Sequence, residues 1–242
     1  MKIFNLIRSI IFEIWLYGAI LFVGGLGMVF VVFNNKFAKN VINIWSRTTL
    51  FGLKLIMGID IEVRGRENLI DGKVLIAGKH LSMLDTIAPF TVLENPAFIF
   101  KNELFKMPIF GWYLKTGGMI GIARDGAMAA LKGMVKTANI RLDEGRPIII
   151  FPEGTRQELD ADTDYKPGVA AIYGLLGVPC VPLALNTGVY WPAHGLKRRP
   201  GKVIFEFLPA IPTGLKRHDF MEKLETAIEG KTKELIDEAK TA

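Results

Sequence analysis

Cysteine is all but absent: Cys180 is the only one in 242 residues. No intramolecular disulfide can form, which suits a reducing compartment. Cys180 lies in the apolar run Val178-Pro-Cys-Val-Pro-Leu-Ala-Leu185, where a thiol is expected to be buried and inert. Serine is nearly as scarce. Ser9 and Ser46 fall in an apolar amino-terminal stretch, Ser82 is the third, and no G-x-S-x-G turn exists, so a serine-hydrolase triad has little to work with. The three histidines, His80, His194 and His218, stand far apart with no neighbour at zinc-ligand spacing, so no metal is expected. Neither a G-x-x-x-x-G-K-[ST] loop nor a G-x-G-x-x-G turn occurs, which leaves nucleotide phosphate cradles unsupported.

Charge is missing altogether from Ile14 to Phe33. At about 20 residues this run is long enough to cross a bilayer. A cleaved signal peptide would have an apolar region of only about 7–15 residues followed by small residues. Bulky Phe30-Val-Val-Phe33 occupies that end instead. A second apolar stretch, Val41 to Ile59, carries Arg47 and Lys54 and reads as an amphipathic helix at an interface. Gly24-Gly-Leu-Gly27 divides the first run and could let it bend. Two arrangements fit: a single span, or a helical hairpin dipped into one leaflet. Residues 1–57 hold six basic residues and one acid, a local net of +5 out of +6 for the whole chain. That points to anionic lipid headgroups and gives no support to a nucleic-acid groove. Basic residues on both sides of the run favour the hairpin.

From Asp60 onward short strands alternate with helices. Strands are expected at Ile61–Gly65, Val74–Gly78, Ala97–Lys101, Met119–Ala123, Pro147–Phe151, Cys180–Asn186 and Val203–Leu208. Helices are expected at Ser82–Leu93, Met128–Glu144, Val169–Leu176 and Lys216–Lys240. The expected architecture is therefore α/β, a mixed sheet flanked by helices, preceded by a membrane-associated two-helix segment. The division expected is 1–59 for the helical segment and 60–242 for the α/β domain.

Two constellations carry chemistry. In Lys79-His-Leu-Ser-Met-Leu-Asp85 an imidazole is followed by a carboxylate at the carboxyl end of a strand, where ligands bind in open α/β sheets. Asp85 could align His80 as a general base, or it could merely close the capping box Ser82-Met-Leu-Asp85. His194, in the loop Trp191-Pro-Ala-His-Gly195, and His218 read as surface residues. With no covalent nucleophile in sight, His80 would deprotonate a substrate hydroxyl for direct attack on an activated acyl group. The second constellation, Phe151-Pro-Glu-Gly-Thr-Arg156, offers a close backbone approach at Gly154, a hydroxyl at Thr155 and a planar donor fork at Arg156. The plainer reading is a turn in which Glu153 pairs with a lysine. Lys101 and Arg124 are further cations at expected strand ends.

These residues resemble the 1-acylglycerol-3-phosphate O-acyltransferases of the glycerolipid acyltransferase superfamily, with four motifs in order over roughly Gly78 to Leu183. Lys79-His80-Leu-Ser-Met-Leu-Asp85 is similar to the catalytic H-x-x-x-x-D. Gly118-Met-Ile-Gly-Ile-Ala-Arg124 resembles the second motif, although the family usually has an aromatic where Gly121 stands and an acid where Ala123 stands. Phe151-Pro-Glu-Gly-Thr-Arg156 resembles the third and Val178-Pro-Cys-Val-Pro-Leu183 the fourth, while Lys101-Asn-Glu-Leu-Phe-Lys-Met-Pro108 resembles a segment that supplies a phosphate-binding lysine.

The resemblance implies His80 and Asp85 as catalytic residues and Lys101, Arg124, Glu153, Gly154, Thr155 and Arg156 as acceptor-binding ones. It implies acyl transfer from acyl-CoA, or acyl carrier protein, to the sn-2 hydroxyl of lysophosphatidic acid, giving phosphatidic acid, with no cofactor beyond the donor and no metal. The expected partners are membrane lipids and the acyl donor, not nucleic acid. The expected location is a membrane, at the cytoplasmic face of a bacterial inner membrane. Related acceptors (glycerol-3-phosphate, a lysophospholipid, a lyso-ornithine lipid) and a silent lipid-binding protein are the competing readings.

Overall fold

The computed structural model describes residues 2–122 and 128–241. The chain opens on two antiparallel helical rods. The first runs through α1 (Lys2–Ala19), a π turn (Ile20–Gly24) and α2 (Gly25–Phe33); the second is α3 (Ala38–Gly52), extended by a π turn (Leu53–Met57). Asn34, in an extended conformation with its side chain accepting from the Lys36 amide at 3.0 Å, separates the two. Trp15 Nε1 donates to the Thr48 carbonyl at 3.0 Å and Arg8 Nε to the Ile56 carbonyl, which fixes the antiparallel pairing.

Helical backbone runs on through Gly24-Gly-Leu-Gly27, where the π turn meets α2. Gly27 serves close packing, since a Cβ there would lie 2.6 Å from the Val41 side chain. One side of the first rod, Ser9, Phe12, Leu16, Ala19, Gly27 and Val31, is buried, while Ile3, Ile14, Phe22, Phe30 and Phe33 on the other side stay uncovered. A helix apolar all round has thus been covered on one side only.

Among the described residues seven strands make one sheet: β1 (Ile59–Arg64), β2 (Leu75–Gly78), β3 (Ala97–Lys101), β4 (Ile120–Ile122), β5 (Ile148–Ile150), β6 (Cys180–Leu185) and β7 (Gly201–Phe207). Their order is β1-β7-β6-β2-β5-β3-β4, parallel except for the β6–β7 pair. Each overlaps a stretch expected from the sequence. The helices are α4 (Pro89–Val92), α5 (Phe110–Thr116), α6 (Met128–Asp143), α7 (Gly168–Leu176), α8 (Thr187–Tyr190) and α9 (Arg217–Thr241).

Central strands buried on both faces read as continuous apolar runs, which is why Leu75-Ile-Ala and Ile148-Ile-Ile show no alternation. Their side chains nevertheless sort by parity. Ile76, Phe98, Phe100, Ile149 and Phe151 pack with Phe12, Leu16, Val31 and Val41 of the hairpin. Leu75, Ala77, Ile99, Ile148 and Ile150 pack with Ala138 of α6, Ile172 of α7 and Phe220 and Leu224 of α9. The hairpin is therefore one covering layer of the sheet, with α6, α7 and α9 as the other.

The single helix expected over Ser82–Leu93 is two pieces: a 3-10 turn (Met83–Thr86), then α4 with Pro89 at its first position. Proline has no N–H to give to the carbonyl of Asp85, so an unbroken helix cannot pass through it. The break keeps Asp85 in a tight turn beside His80.

Candidate active site

Strand order assembles the site. The carboxyl ends of neighbouring parallel strands β6, β2, β5 and β3 deliver Thr187, His80, Phe151 with the following loop, and Lys101 to one edge of the sheet. His80 Nδ1 lies 3.0 Å from Asp85 Oδ2. Asp85, only 1 % exposed, is saturated with donors: Oδ2 also accepts the amides of Leu81 and Ser82 at 2.7 Å each, and Oδ1 accepts the Thr187 hydroxyl at 2.6 Å. Such bonds fix the orientation of the carboxylate.

The two readings of Asp85 were not alternatives. It closes the capping box with Ser82, whose Oγ accepts the Leu84 amide at 3.2 Å, and it holds the imidazole at the same time.

The imidazole is fixed from other sides as well. Its ring stacks on Phe151, centroids 4.2 Å apart and planes 16° apart. The His80 amide donates to Glu153 Oε2 at 2.8 Å, and its carbonyl accepts the Gln157 amide at 2.8 Å. With Nδ1 engaged by Asp85, Nε2 is the nitrogen left to take a proton.

His80 opens onto a cleft of about 630 Å³, within the usual range for small-molecule sites. Lys101, Glu103, Gly154, Thr155, Arg156 and Lys166 are among the residues that line it. Among the described residues neither Lys101 nor Arg156 has an ion-pair partner, while Lys166 pairs with Asp164. Leu16, Tyr17 and Ile20 of the first rod and Trp45 of α3 form an apolar wall of the same cleft. A smaller apolar pocket of about 40 Å³ adjoins it, lined by Gly24, Val41, Tyr113 and Leu114 and sharing Ile20, Trp45 and Phe110.

Glu153 takes a different place from the one the sequence suggested. It is 1 % exposed and does not line the cleft; its Oε1 lies 2.5 Å from Lys79 Nζ, so the plain turn-and-lysine reading describes its surroundings. A buried carboxylate already committed to an ammonium and to a backbone amide has little left for a ligand. Arg124 and Ala123 lie outside the described residues.

At Gly121, where the resembling family has an aromatic, a Cβ would stand 2.1 Å from Asn102 Oδ1, so this chain has filled that space from the end of β3. His194 and His218 are remote from the cleft lining, and His218 is exposed near Asp219 and Glu222. Among the described residues no group of three or more His, Cys, Asp or Glu could hold a metal.

Thr187 and Phe151 as a stacking platform were not legible as site features, and the sequence suggested a lysine partner for Glu153 without identifying it as Lys79. Thr187 is 102 positions from Asp85 and meets it only because β6 lies beside β2.

A strand-end imidazole aligned by a buried carboxylate, beside unpaired cations and an apolar wall, is equipped to transfer an acyl group to a hydroxyl. Residues 60–186 match the family model described as Acyltransferase, and the chain belongs to that family. It is 32 % identical over 209 residues to the 1-acyl-sn-glycerol-3-phosphate acyltransferase of Pseudomonas aeruginosa, a match spanning 85 % of this chain and 80 % of that one. The enzyme of the same name from Helicobacter pylori is 34 % identical over 146 residues, 58 % of either chain. The crystal structure of the 1-acyl-sn-glycerophosphate (LPA) acyltransferase PlsC from Thermotoga maritima superposes with a TM-score of 0.79 at 25 % identity, covering 97 % of both chains.

Proposed function

We propose that this acyltransferase acylates the sn-2 hydroxyl of lysophosphatidic acid to give phosphatidic acid, with acyl-CoA or acyl carrier protein as donor and His80 as general base. The observation that carries the reading is the fully bonded Asp85 aligning an imidazole that lines a cleft together with the cations Lys101, Arg156 and Lys166 and with apolar side chains of the amino-terminal helices. His80 Nε2 takes the hydroxyl proton as the oxygen attacks the thioester carbonyl. The new C–O bond forms, the C–S bond breaks, and the proton passes to the departing thiolate. General-base assistance contributes about 10²–10⁴-fold, and holding both reactants contributes more. No further cofactor is needed for a thioester donor.

Lys101 and Arg156 would take the acceptor's phosphate, each charged hydrogen bond contributing roughly 1.5–3 kcal/mol, with Thr155 and the backbone at Gly154 beside it. Arg124 belongs to the same proposal by resemblance.

The acceptor is an amphiphile, and the amino-terminal hairpin suits a protein that lies on a membrane at the cytoplasmic face of a bacterial inner membrane. One side of the first rod is held against protein from Ser9, which accepts the Arg198 amide, to Gly24, whose carbonyl accepts the Tyr113 hydroxyl. A helix crossing a bilayer would have lipid around it over that length, so we favour residence in one leaflet with the uncovered side in the lipid. Lys2, Lys36 and Lys39 would meet anionic headgroups.

The test is thiol release from oleoyl-CoA by purified protein in lipid vesicles, with lysophosphatidic acid, glycerol-3-phosphate, lysophosphatidylethanolamine and monoacylglycerol as acceptors. Lysophosphatidic acid should be preferred, His80→Ala should abolish turnover, and Arg156→Ala should selectively weaken acceptors with a phosphomonoester. Unchanged turnover in His80→Ala would remove the base, and equal rates with monoacylglycerol would remove the phosphate site.

A further inference from the structure

Directly behind the imidazole lies a buried charge cluster that the acyl-transfer chemistry does not use. Lys79 Nζ, with a side chain 6 % exposed, lies 2.5 Å from Glu153 Oε1 and 2.9 and 3.1 Å from the two carboxylate oxygens of Glu229 on α9. The Tyr165 hydroxyl donates to the same Glu229 at 2.8 Å. Three distant stretches of chain therefore meet at one ammonium, the end of β2, the loop after β5 and the carboxyl-terminal helix, and the segment before α7 joins them through Glu229.

We propose that Lys79 is a positioning residue for acyl transfer, and that α9, through Glu229, braces the catalytic imidazole by way of Lys79 and Glu153. The inference rests on the reading of His80 as the base. Its distinguishing observation is where the cluster ends: the Glu153 oxygen not taken by Lys79 accepts the His80 amide at 2.8 Å. An ion pair serving the fold alone has no need to finish on the backbone of the base.

Lys79 is also the immediate neighbour of His80 in the chain, so the cluster holds that residue from its own peptide and from across the sheet edge. Its reach extends to the cleft lining. Tyr165 precedes Lys166, whose amide donates to the Pro152 carbonyl at 2.9 Å and which lines the cleft. Burial alone would drive the Lys79 ammonium toward its neutral form, yet the two carboxylates outweigh it and raise Lys79 above its ordinary value. Burial pushes Glu153 upward toward its neutral acid, against the lowering pull of Lys79 and the His80 amide, so losing either Lys79 or Glu229 disturbs the position of Glu153. Movement of Glu153 is then passed to the His80 amide. A displacement of about 1 Å in a reacting group can cost on the order of 10²-fold, so a partial loosening should show in turnover.

The experiment compares Glu229→Gln, Tyr165→Phe, Lys79→Met, Lys79→Arg and His80→Ala with the parent full-length protein in vesicles, measuring kcat and KM for lysophosphatidic acid together with the thermal midpoint. Glu229→Gln is the key variant, because Glu229 is the outermost member of the cluster and its neutral isostere keeps the fold. It should lower kcat on the order of 10-fold while KM stays within about twofold, the pattern of a group acting on the transition state through another. Lys79→Met should lower kcat further, and Lys79→Arg should restore part of the loss. Inactive His80→Ala beside Glu229→Gln with parental kcat, or with the loss confined to KM, would overturn the brace and leave the base standing. Active His80→Ala would overturn both.

Discussion

Replacing Asp85 by Asn separates the two duties of this carboxylate more cleanly than any deletion. Three donors converge on Oδ2, from His80, Leu81 and Ser82, and one on Oδ1, from Thr187. An asparagine can put its carbonyl oxygen in the crowded position and its NH₂ toward Thr187, whose hydroxyl can rotate to accept. Every partner is then still met and the turn is preserved. What disappears is the negative charge that stabilises the imidazolium, while the carbonyl oxygen still accepts from Nδ1 and keeps the tautomer. In hydrolase triads the same exchange costs about 10⁴-fold because the tautomer is lost as well, so here, with the tautomer kept, kcat should fall by less, on the order of 10²–10³-fold, equivalent to about 3–4 kcal/mol. Stability should fall by less, about 1–3 kcal/mol, because charged hydrogen bonds become neutral ones. Ser82→Ala is the control: it removes only the cap to Leu84 at 3.2 Å, keeps the Ser82 amide on Asp85, and should cost about 0.5–2 kcal/mol with near-parental turnover. Thiol release and thermal denaturation measure both variants. Turnover of Asp85→Asn within about threefold of the parent, or Ser82→Ala slower than Asp85→Asn, would refute the assignment of the charge to the imidazole.

Thr187→Val leaves the buried Asp85 Oδ1 without its partner, so the protein should lose about 1–3 kcal/mol and some turnover, read from denaturant midpoints and initial rates. Gly121→Ala brings a methyl within 2.1 Å of Asn102 Oδ1 and should cost about 1–3 kcal/mol, recovered in the double variant Asn102→Ala/Gly121→Ala; additive losses would refute the contact. Arg198, with a side chain 2 % exposed, pairs with Glu13 at 2.5 Å and lies 4.2 Å from the centre of the Trp191 ring. Arg198→Ala should therefore lower stability by about 3–5 kcal/mol, and an unchanged thermal midpoint would show that the hairpin is held by its apolar contacts alone. Burial pushes the Cys180 thiol up to about 12, so at pH 8 the thiolate fraction is on the order of 10⁻⁴. Iodoacetamide should label it only after unfolding, and fast labelling of the native protein would contradict its burial.

How much of this was readable before any coordinates differs from residue to residue. The seven strands were legible because a short apolar run bounded by Gly, Pro or charge has few other uses, and His80 stood out because the chain offers only two other imidazoles. Asp85 was visible through its spacing, but its saturation was not, since Thr187 reaches it only through the adjacency of β6 and β2. Glu153 shows the limit most plainly. Its motif suggests a ligand contact, and only the packing of α9 against the sheet, together with the inward path of Lys79, turns it toward the back of the imidazole. The same is true of Gly24 to Gly27: sequence cannot distinguish a glycine that bends a helix from one that lets Val41 come close.

The hairpin is more than an anchor appended to a sheet. Phe12, Leu53 and Met57 are fully buried in the core cluster that contains Ile76, Phe98 and Ile149, and each such side chain contributes roughly 1.5–3 kcal/mol by leaving water. Several together rival the 5–15 kcal/mol by which a domain of this kind is stable. Leu16, Tyr17, Ile20 and Trp45 also wall the cleft into which His80 opens. On the function proposed above, the same two helices would meet lipid with their uncovered side chains and substrate with Leu16, Tyr17, Ile20 and Trp45. If the acceptor is the proposed amphiphile, its headgroup would reach the cations while its chain stays on these apolar side chains, and its entry path would belong to the element that holds the fold together. Separating membrane attachment from catalysis by removing the hairpin is then physically unavailable to this chain, because the cut would open the core and the cleft at once.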